Sequence, residues 1–345
     1  MNNIKNKKII FIILAIIVVV IIIVFIAQQN KWNKELGVIK TDEGIKIPLP
    51  KGFKQLNITN KIDEGIAIED EEGNQFVWVP IQNSKFERNL FEINSTPLGY
   101  RTILTDEQNK DIKWDTLANE ELKTKSGGIW EPTDEKEYKE LLKSVNQYGG
   151  FYIARYEATC ESGNNVENCK PGSKKSTTAT ENKPSLDKGT LFNYVSANEA
   201  YEISKRMYEK NTTIVSHLTY GIEWDATLDW MLRTGTRTQK EINEDSSTWG
   251  NTYNDTFSGT KGIANTGEYE ETKSNNIYDM AGNLFEWTRE YFGPESCAIN
   301  RGGHMRAYNG EKAYNISAGS RTWMTSGGND KKYSSIGFRV CLYVK

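Results

Sequence analysis

Hydrophobic and polar positions change rhythm several times along this chain. Ile9 to Ala27 is a run of 19 apolar residues without a charge, long enough as a helix to cross a bilayer core. Lys5, Lys7 and Lys8 precede it, and Lys31 and Lys34 follow it, partly offset by Glu35. The slight positive bias ahead of the run places the N-terminus in the cytoplasm. A cleaved signal peptide is the alternative. Its apolar region is normally shorter and ends in a small-x-small site, which Ala27-Gln28-Gln29 does not supply. The pattern predicts a cytoplasmic tail over 1–8, a signal anchor over 9–27, a polar stalk over 28–44 and an external domain over 45–345.

Within that domain the period switches between two and 3.6. Ile66 and Ile68 mark an apolar alternation, a turn follows at Glu72-Gly73-Asn74, and Gln75 to Ile81 reads as a second strand of a hairpin. Phe76-Val77-Trp78-Val79 is too apolar for a strand with a wet face, so it is expected to be central. Residues 83–147 carry weak signals until a helix beginning near Thr133, with Asp134 as N-cap and Gly149 as terminator. Tyr152, Ala154 and Tyr156 alternate with Ile153, Arg155 and Glu157, a strand pattern. Residues 160–190 read as a polar surface excursion. Ser196 to Lys210 has a capping box, Ser196 with Glu199, and an apolar stripe of Ala200, Ile203 and Met207. A second helix is expected in "TYGIEWDATLDWMLRTG". From Thr236 to Asn275 turn residues dominate, and a loop of that length needs something to order it, bound ions being the usual remedy.

Composition narrows the function classes. Formal net charge is −3 with mixed signs, so the basic face of a nucleic-acid binder is missing. His217 and His304 are the only histidines, which excludes mechanisms needing several imidazoles. Nine Trp and seventeen Tyr suit an aromatic core and a surface built from amphipathic rings. The four cysteines, Cys160, Cys169, Cys297 and Cys341, allow three pairings in an exported chain. The pairing Cys160–Cys169 with Cys297–Cys341 closes one local loop and ties down the terminal strand; free buried thiols are the alternative.

Three stretches carry the most specific signal: "NIYDMAGNLFEWTR" from Asn276, "RGGHMR" from Arg301 and "GFRVCLY" from Gly337. In this order they resemble the formylglycine-generating enzyme (sulfatase-modifying factor) family, which pairs "DMAGNVWEW" with "RGGSW" and a terminal "GFR". Glu223-Trp224-Asp225 and the "YEAT" strand at Tyr156 add to the likeness. The resemblance spans about Ile45 to Lys345, with 83–147 diverged or inserted. It implies an α+β fold, the formylglycine-generating-enzyme variant of the C-type lectin fold, with much irregular chain, small twisted antiparallel sheets and two main helices, preceded here by one transmembrane helix.

Enzymes of that family hold Cu(I) on two cysteines between "RGG" and "GFR". Soft thiolates are what Cu(I) prefers, yet Ala298 to Val340 contains no cysteine, and an ungapped register puts Ala307 and Lys312 in their places. No copper is expected. The resemblance implies structural calcium on Asp279, the carbonyls of Gly282 and Leu284, and Glu286, hard oxygen ligands of the right kind; a weaker second site falls at Asn265 and Thr266. The competing reading is that Asp279 and Glu286 cap backbone N–H groups of a tight turn. Arg301 and Arg339 are expected to brace the fold through buried carbonyls. The region lining the active groove of enzyme relatives supplies His304, Arg306, Tyr308, Asn309, Tyr314, Arg321, Trp323, Asn329 and Tyr333. That mixture of aromatic and adaptable polar groups resembles a paratope. The sequence thus predicts a membrane-anchored, non-catalytic binding protein for an extracellular protein or glycan, without a nucleic-acid partner. The alternative is an enzyme of the same family with copper-independent chemistry.

Overall fold

The computed structural model describes residues 33–81, 87–88, 93–94, 101–102, 112–113, 129–132, 135–160, 171–173, 191–243, 246–252, 263–292, 297–303, 317–323 and 328–345. Two compact units are present, Met1–Leu36 and Gly37–Lys345. The expected anchor over 9–27 lies outside the described residues; among those described, no helix is long and apolar enough to cross a membrane.

The second unit begins with a hairpin, β1 (Gly37–Lys40) with β2 (Lys46–Leu49). It starts inside the segment expected to be stalk, because Ile39 and Ile47 are buried at 2% and 0% exposure and belong to the core. In chain order there follow β3 (Phe53–Gln55), β4 (Ala67–Asp70), β5 (Gln75–Pro80), β6 (Glu87–Arg88), β7 (Ile93–Asn94), β8 (Arg101–Thr102), β9 (Ile112–Lys113) and β10 (Ile129–Trp130). Next are helix α1 (Lys136–Tyr148), β11 (Gly150–Ala154), β12 (Thr159–Cys160), β13 (Pro171–Gly172), α2 (Ala197–Arg206), β14 (Ile214–Leu218), α3 (Gly221–Arg233) and α4 (Gln239–Asn243). The chain closes with β15 (Phe285–Phe292), β16 (Cys297–Arg301), β17 (Arg321–Trp323), β18 (Ile336–Phe338) and β19 (Val340–Val344).

Two sheets carry the architecture. One has the order β14-β19-β11-β5-β4-β3, antiparallel throughout. As expected, β5 is central and Phe76, Val77, Trp78 and Val79 are all buried. The other runs β10-β15-β16-β17-β7-β8, with β18 added to β15. It departs from the expected antiparallel pattern at two pairings, β15 with β18 and β17 with β7, which are parallel.

Local signals account for the helices. Gly149 ends α1 in the left-handed conformation, its N–H bonding the Val145 carbonyl. Glu135, in extended conformation, stands at the N-cap; Thr133 and Asp134 lie outside the described residues. The capping box of α2 is present: the Glu199 N–H donates to Ser196 Oγ at 3.2 Å, and the Ser196 N–H donates to Glu199 Oε2 at 2.9 Å. That helix ends at Arg206, four residues earlier than its apolar period predicts, and Met207 is only half-buried. Across Thr236 to Asn275 the described portion carries caps and side-chain bonds of its own. Thr238 and Glu241 cap α4. Arg237 donates to the Glu271 and Lys273 carbonyls and to Ser274 Oγ.

Two of the four cysteines contradict the expected pairing. Cys160 is disulfide-bonded, in keeping with a local bridge to Cys169, which lies outside the described residues. Cys297 and Cys341 are free thiols. They sit on different sheets: Cys297 ends the β16 ladder opposite Phe292, and Cys341 is interior to β19 opposite His217 and Ile153. The pairing was expected to tie the terminal strand to the segment before Arg301, but the two strands belong to different sheets.

Candidate functional site

The segment from Asn276 to Arg289 is the hub of the molecule. Asn275, Asn276, Asp279 and Asn283 all have positive φ, between 47° and 61°, conformations that Asn and Asp tolerate better than other side chains. Gly282 (φ 76°) lies so close to Asn251 that a Cβ there would stand 2.3 Å from its carbonyl oxygen, so only glycine fits. The Asn276 amide nitrogen donates to the Glu64 and Gly65 carbonyls. Asn283 uses both ends of its amide: Oδ1 accepts from Asn251 Nδ2 and the Ala264 N–H, each at 3.0 Å, and Nδ2 donates to Glu157.

Beneath this turn one guanidinium faces three buried carboxyls. Arg339 grips Glu286 bidentately, at 3.0 Å from Nε and 2.7 Å from Nη2, and donates to the Ala154 and Tyr278 carbonyls. The expected bracing role of Arg339 is therefore met. Asp279 Oδ2 accepts from Thr266 Oγ1 at 2.9 Å and the Gly267 N–H at 2.8 Å. Glu157 accepts from the Leu284 N–H at 3.2 Å and from Asn283. Burial, followed by the negative charges of Asp279 and Glu286, pushes the Glu157 carboxyl well above the usual carboxylate range. Burial also raises Asp279 and Glu286, against the opposing pull of hydrogen bonds on the first and of Arg339 on the second. Of the four expected calcium ligands, the carboxylates of Asp279 and Glu286 have protein partners. Both Glu286 oxygens accept from Arg339 and Asp279 Oδ2 caps the Gly267 N–H, while the N–H groups of Gly282 and Leu284 donate to Gly302 and Glu157 and leave their carbonyls out of these bonds. Among the described residues no group of three or more His, Cys, Asp or Glu is placed to hold a metal ion. Asn265 and Thr266, the weaker site, bond Glu268 and Asp279.

A second buried charge cluster joins helix to sheet. Arg301 reaches Asp225 at 2.9 Å and Glu290 at 3.0 Å; Arg321 reaches the same two carboxylates at 2.6 Å and 3.0 Å. All four side chains are fully buried. Two cations against two anions leave the quartet neutral, and the Arg301 Nε donates to the Ser320 carbonyl, so Arg301 braces the fold as expected. Arg321, expected at the ligand surface, is corrected: its alternation on β17 aims it at α3, opposite Arg301 in the ladder.

Of the other candidate surface residues, His304, Arg306, Tyr308, Asn309 and Tyr314 lie outside the described residues, as does the side chain of Trp323. Asn329 Oδ1 accepts from the Ala298 N–H at 2.7 Å. Tyr333 is half-buried with its ring 6.5 Å from Trp287, and its carbonyl accepts from the N–H of Tyr194, an exposed tyrosine at φ 53°. Sequence reasoning missed Asp225 and Glu290 as partners of the arginines, since ion pairs between distant segments leave no local pattern.

Residues 216–343 match the profile of the sulfatase-modifying factor enzyme 1-like domain, named FGE-sulfatase. Over that stretch, from β14 to β19 and including all three motifs, the chain is similar to the family its motifs resemble. No curated protein matches the chain. Among solved structures, PvdO from Pseudomonas aeruginosa is matched with 15% identity and a TM-score of 0.37, covering 57% of this chain and 81% of that one.

Proposed function

We propose that this chain is a membrane-anchored binding protein whose external domain recognises a protein or glycan at the cell surface, on a scaffold of the sulfatase-modifying-factor type. The observation that carries this reading is the missing thiol pair: Ala298 to Val340, which spans the region between "RGG" and "GFR", holds no cysteine. A methyl group or an ammonium does not bind Cu(I) as a thiolate does. Two arginines near the ends of this interval support it further. Arg301 and Arg339 are fully buried and charge-matched, so they hold the scaffold and face no ligand. The apolar run over 9–27 supports a single-pass anchor with its N-terminus in the cytoplasm.

The test uses the full chain purified in detergent. Copper content and thiol-dependent oxygen uptake with a cysteine peptide are measured, followed by binding to a glycan array and to extracellular protein fractions. Binding without copper and without oxygen uptake is the expected result. Stoichiometric copper with oxygen consumption overturns the reading in favour of an enzyme.

A further inference from the structure

The first hairpin of the domain turns one face to the core and the other to solvent. By strand alternation Ile39 and Ile47 point to the core, where both are buried. Val38 and Lys40 on β1 and Lys46 on β2 point the other way and are exposed. The register sets Lys40 directly across from Lys46. Like charges directly opposite each other destabilise an antiparallel pair, and neither lysine has an ion-pair partner among the described residues. Val38, 46% exposed, stands two residues before Lys40 on the same face, and Ile45, 45% exposed, sits at the turn. Ile58 is a third exposed aliphatic side chain, in the loop whose Asn60 carbonyl accepts from the Asp42 N–H. Among the described residues, Tyr194 is the one other large apolar side chain that is exposed.

Two repelling ammonium groups beside exposed aliphatic side chains call for a partner that is anionic and apolar at once. The acids of the turn do not supply the anion. Glu43 accepts from the Ile62 N–H, and both Asp42 and Glu43 act on Lys61. A lipid surface offers both properties: phosphate headgroups for the ammonium groups, and an acyl boundary for Val38 and for the methylene stems of the lysines. Each lysine at an anionic surface contributes a roughly five-fold preference for it. The position of the hairpin along the chain points the same way. Nine residues, 28–36, separate the apolar run ending at Ala27 from β1. Fully extended they span about 30 Å, and no other element of the domain is tethered as closely in sequence to that run.

Resting on the membrane-anchored reading above, we propose that the outward face of the β1–β2 hairpin, Val38, Lys40 and Lys46 with Ile45 at its turn, docks on the anionic surface of the bilayer that holds the chain. The experiment reconstitutes the full chain in nanodiscs of phosphatidylcholine alone and of phosphatidylcholine with added phosphatidylglycerol. Acetylation of individual lysines by a water-soluble reagent is followed by mass spectrometry, with the exposed Lys331 as internal reference. Relative to Lys331, the rates of Lys40 and Lys46 are expected to fall several-fold from neutral to anionic discs. Val38→Asp, a change at an exposed position that the fold should tolerate, is expected to restore them. Unchanged rates overturn the docking. So does slowing that survives Val38→Asp, which would report only the general field of an anionic surface. Slowing of equal size in both kinds of disc puts another occupant on the face, such as a second copy of the chain, and overturns it too. A chain that does not enter the discs loses the anchor and this proposal together, whereas the docking can fail with the anchor intact.

Discussion

Gly282, Asp225 and His217 show three ways in which one residue is fixed by its surroundings. At Gly282 the constraint is steric: Ala would meet the Asn251 carbonyl at 2.3 Å in a backbone conformation that side chains disfavour. Gly282→Ala is expected to lower stability by more than about 2 kcal/mol, measured as a shift in the urea midpoint. At Asp225 the constraint is charge. Asp225→Ala leaves Arg301 and Arg321 with a single carboxylate between them in a dry site, and breaking buried pairs in this way costs about 3–5 kcal/mol. The expected outcome is a chain that is largely unfolded or markedly easier to unfold in urea. His217 is held against Glu223, with Nε2 3.0 Å from both carboxylate oxygens, while Tyr220, Tyr343, Cys341 and Thr219 pack around the pair. Burial acts to lower its pKa, but the charge of and hydrogen bond to Glu223, with Glu137 behind, outweigh burial and raise it. A raised folded-state value means the imidazolium adds stability below the unfolded pKa, and that stability is lost as pH rises through the folded value. Urea midpoints should therefore decline from mildly acid to alkaline conditions, and His217→Gln should flatten that decline.

At the level of elements, β15 decides where most of the chemistry-bearing side chains go. It pairs with β10, β16 and β18, so its alternation sends Glu286 to Arg339 and Trp287 to the side of Asn300, its ladder partner. A bulge lies between Trp287 and Tyr291; bulges re-aim side chains, and beyond Trp287 it is Glu290 that meets Arg301 and Arg321. Helix α3 answers with Asp225 from the opposite side. Helix α2 is held more locally. Ser196→Ala removes the acceptor for the Glu199 N–H and should cost about 1 kcal/mol, readable as a modest fall in melting temperature.

For the whole molecule the covalent links differ from the expected pairing. Cys160 is bridged while Cys297 and Cys341 are free, so Cys160→Ala should cost about 3 kcal/mol and Cys297→Ser should leave the melting temperature unchanged under oxidising conditions. Burial raises the Cys341 thiol well above its ordinary range, which makes it slow to react with thiol reagents until the chain unfolds. Arg339 holds Glu286 and Asp279 caps Gly267; a melting temperature unchanged by EGTA supports this capping role alone, and a fall of several degrees supports calcium at the turn.

What the sequence determined by itself were the features that depend on neighbours along the chain. The capping box at Ser196, the terminator Gly149, the buried strand at Phe76 to Val79 and the tight turn at Gly282 each arise from local sterics and short-range hydrogen bonds, and each is visible as residue type at fixed spacing. The absence of thiols between Arg301 and Gly337 was likewise a matter of reading residues. Tertiary structure alone decided which charges meet. Arg321 read as a surface contact until β17 was seen to pair with β16 and turn it towards Asp225 and Glu290. The partner of Glu286, Arg339, stands 53 positions further along the chain. Cys297 and Cys341 read as a bridge until they were found on different sheets. The hub, Asn276 to Arg289, is thus legible as a turn and a strand from sequence. Its partners Glu64, Glu157 and Arg339 come from segments more than fifty residues away, and long-range pairing of buried charge leaves no periodic trace in a chain.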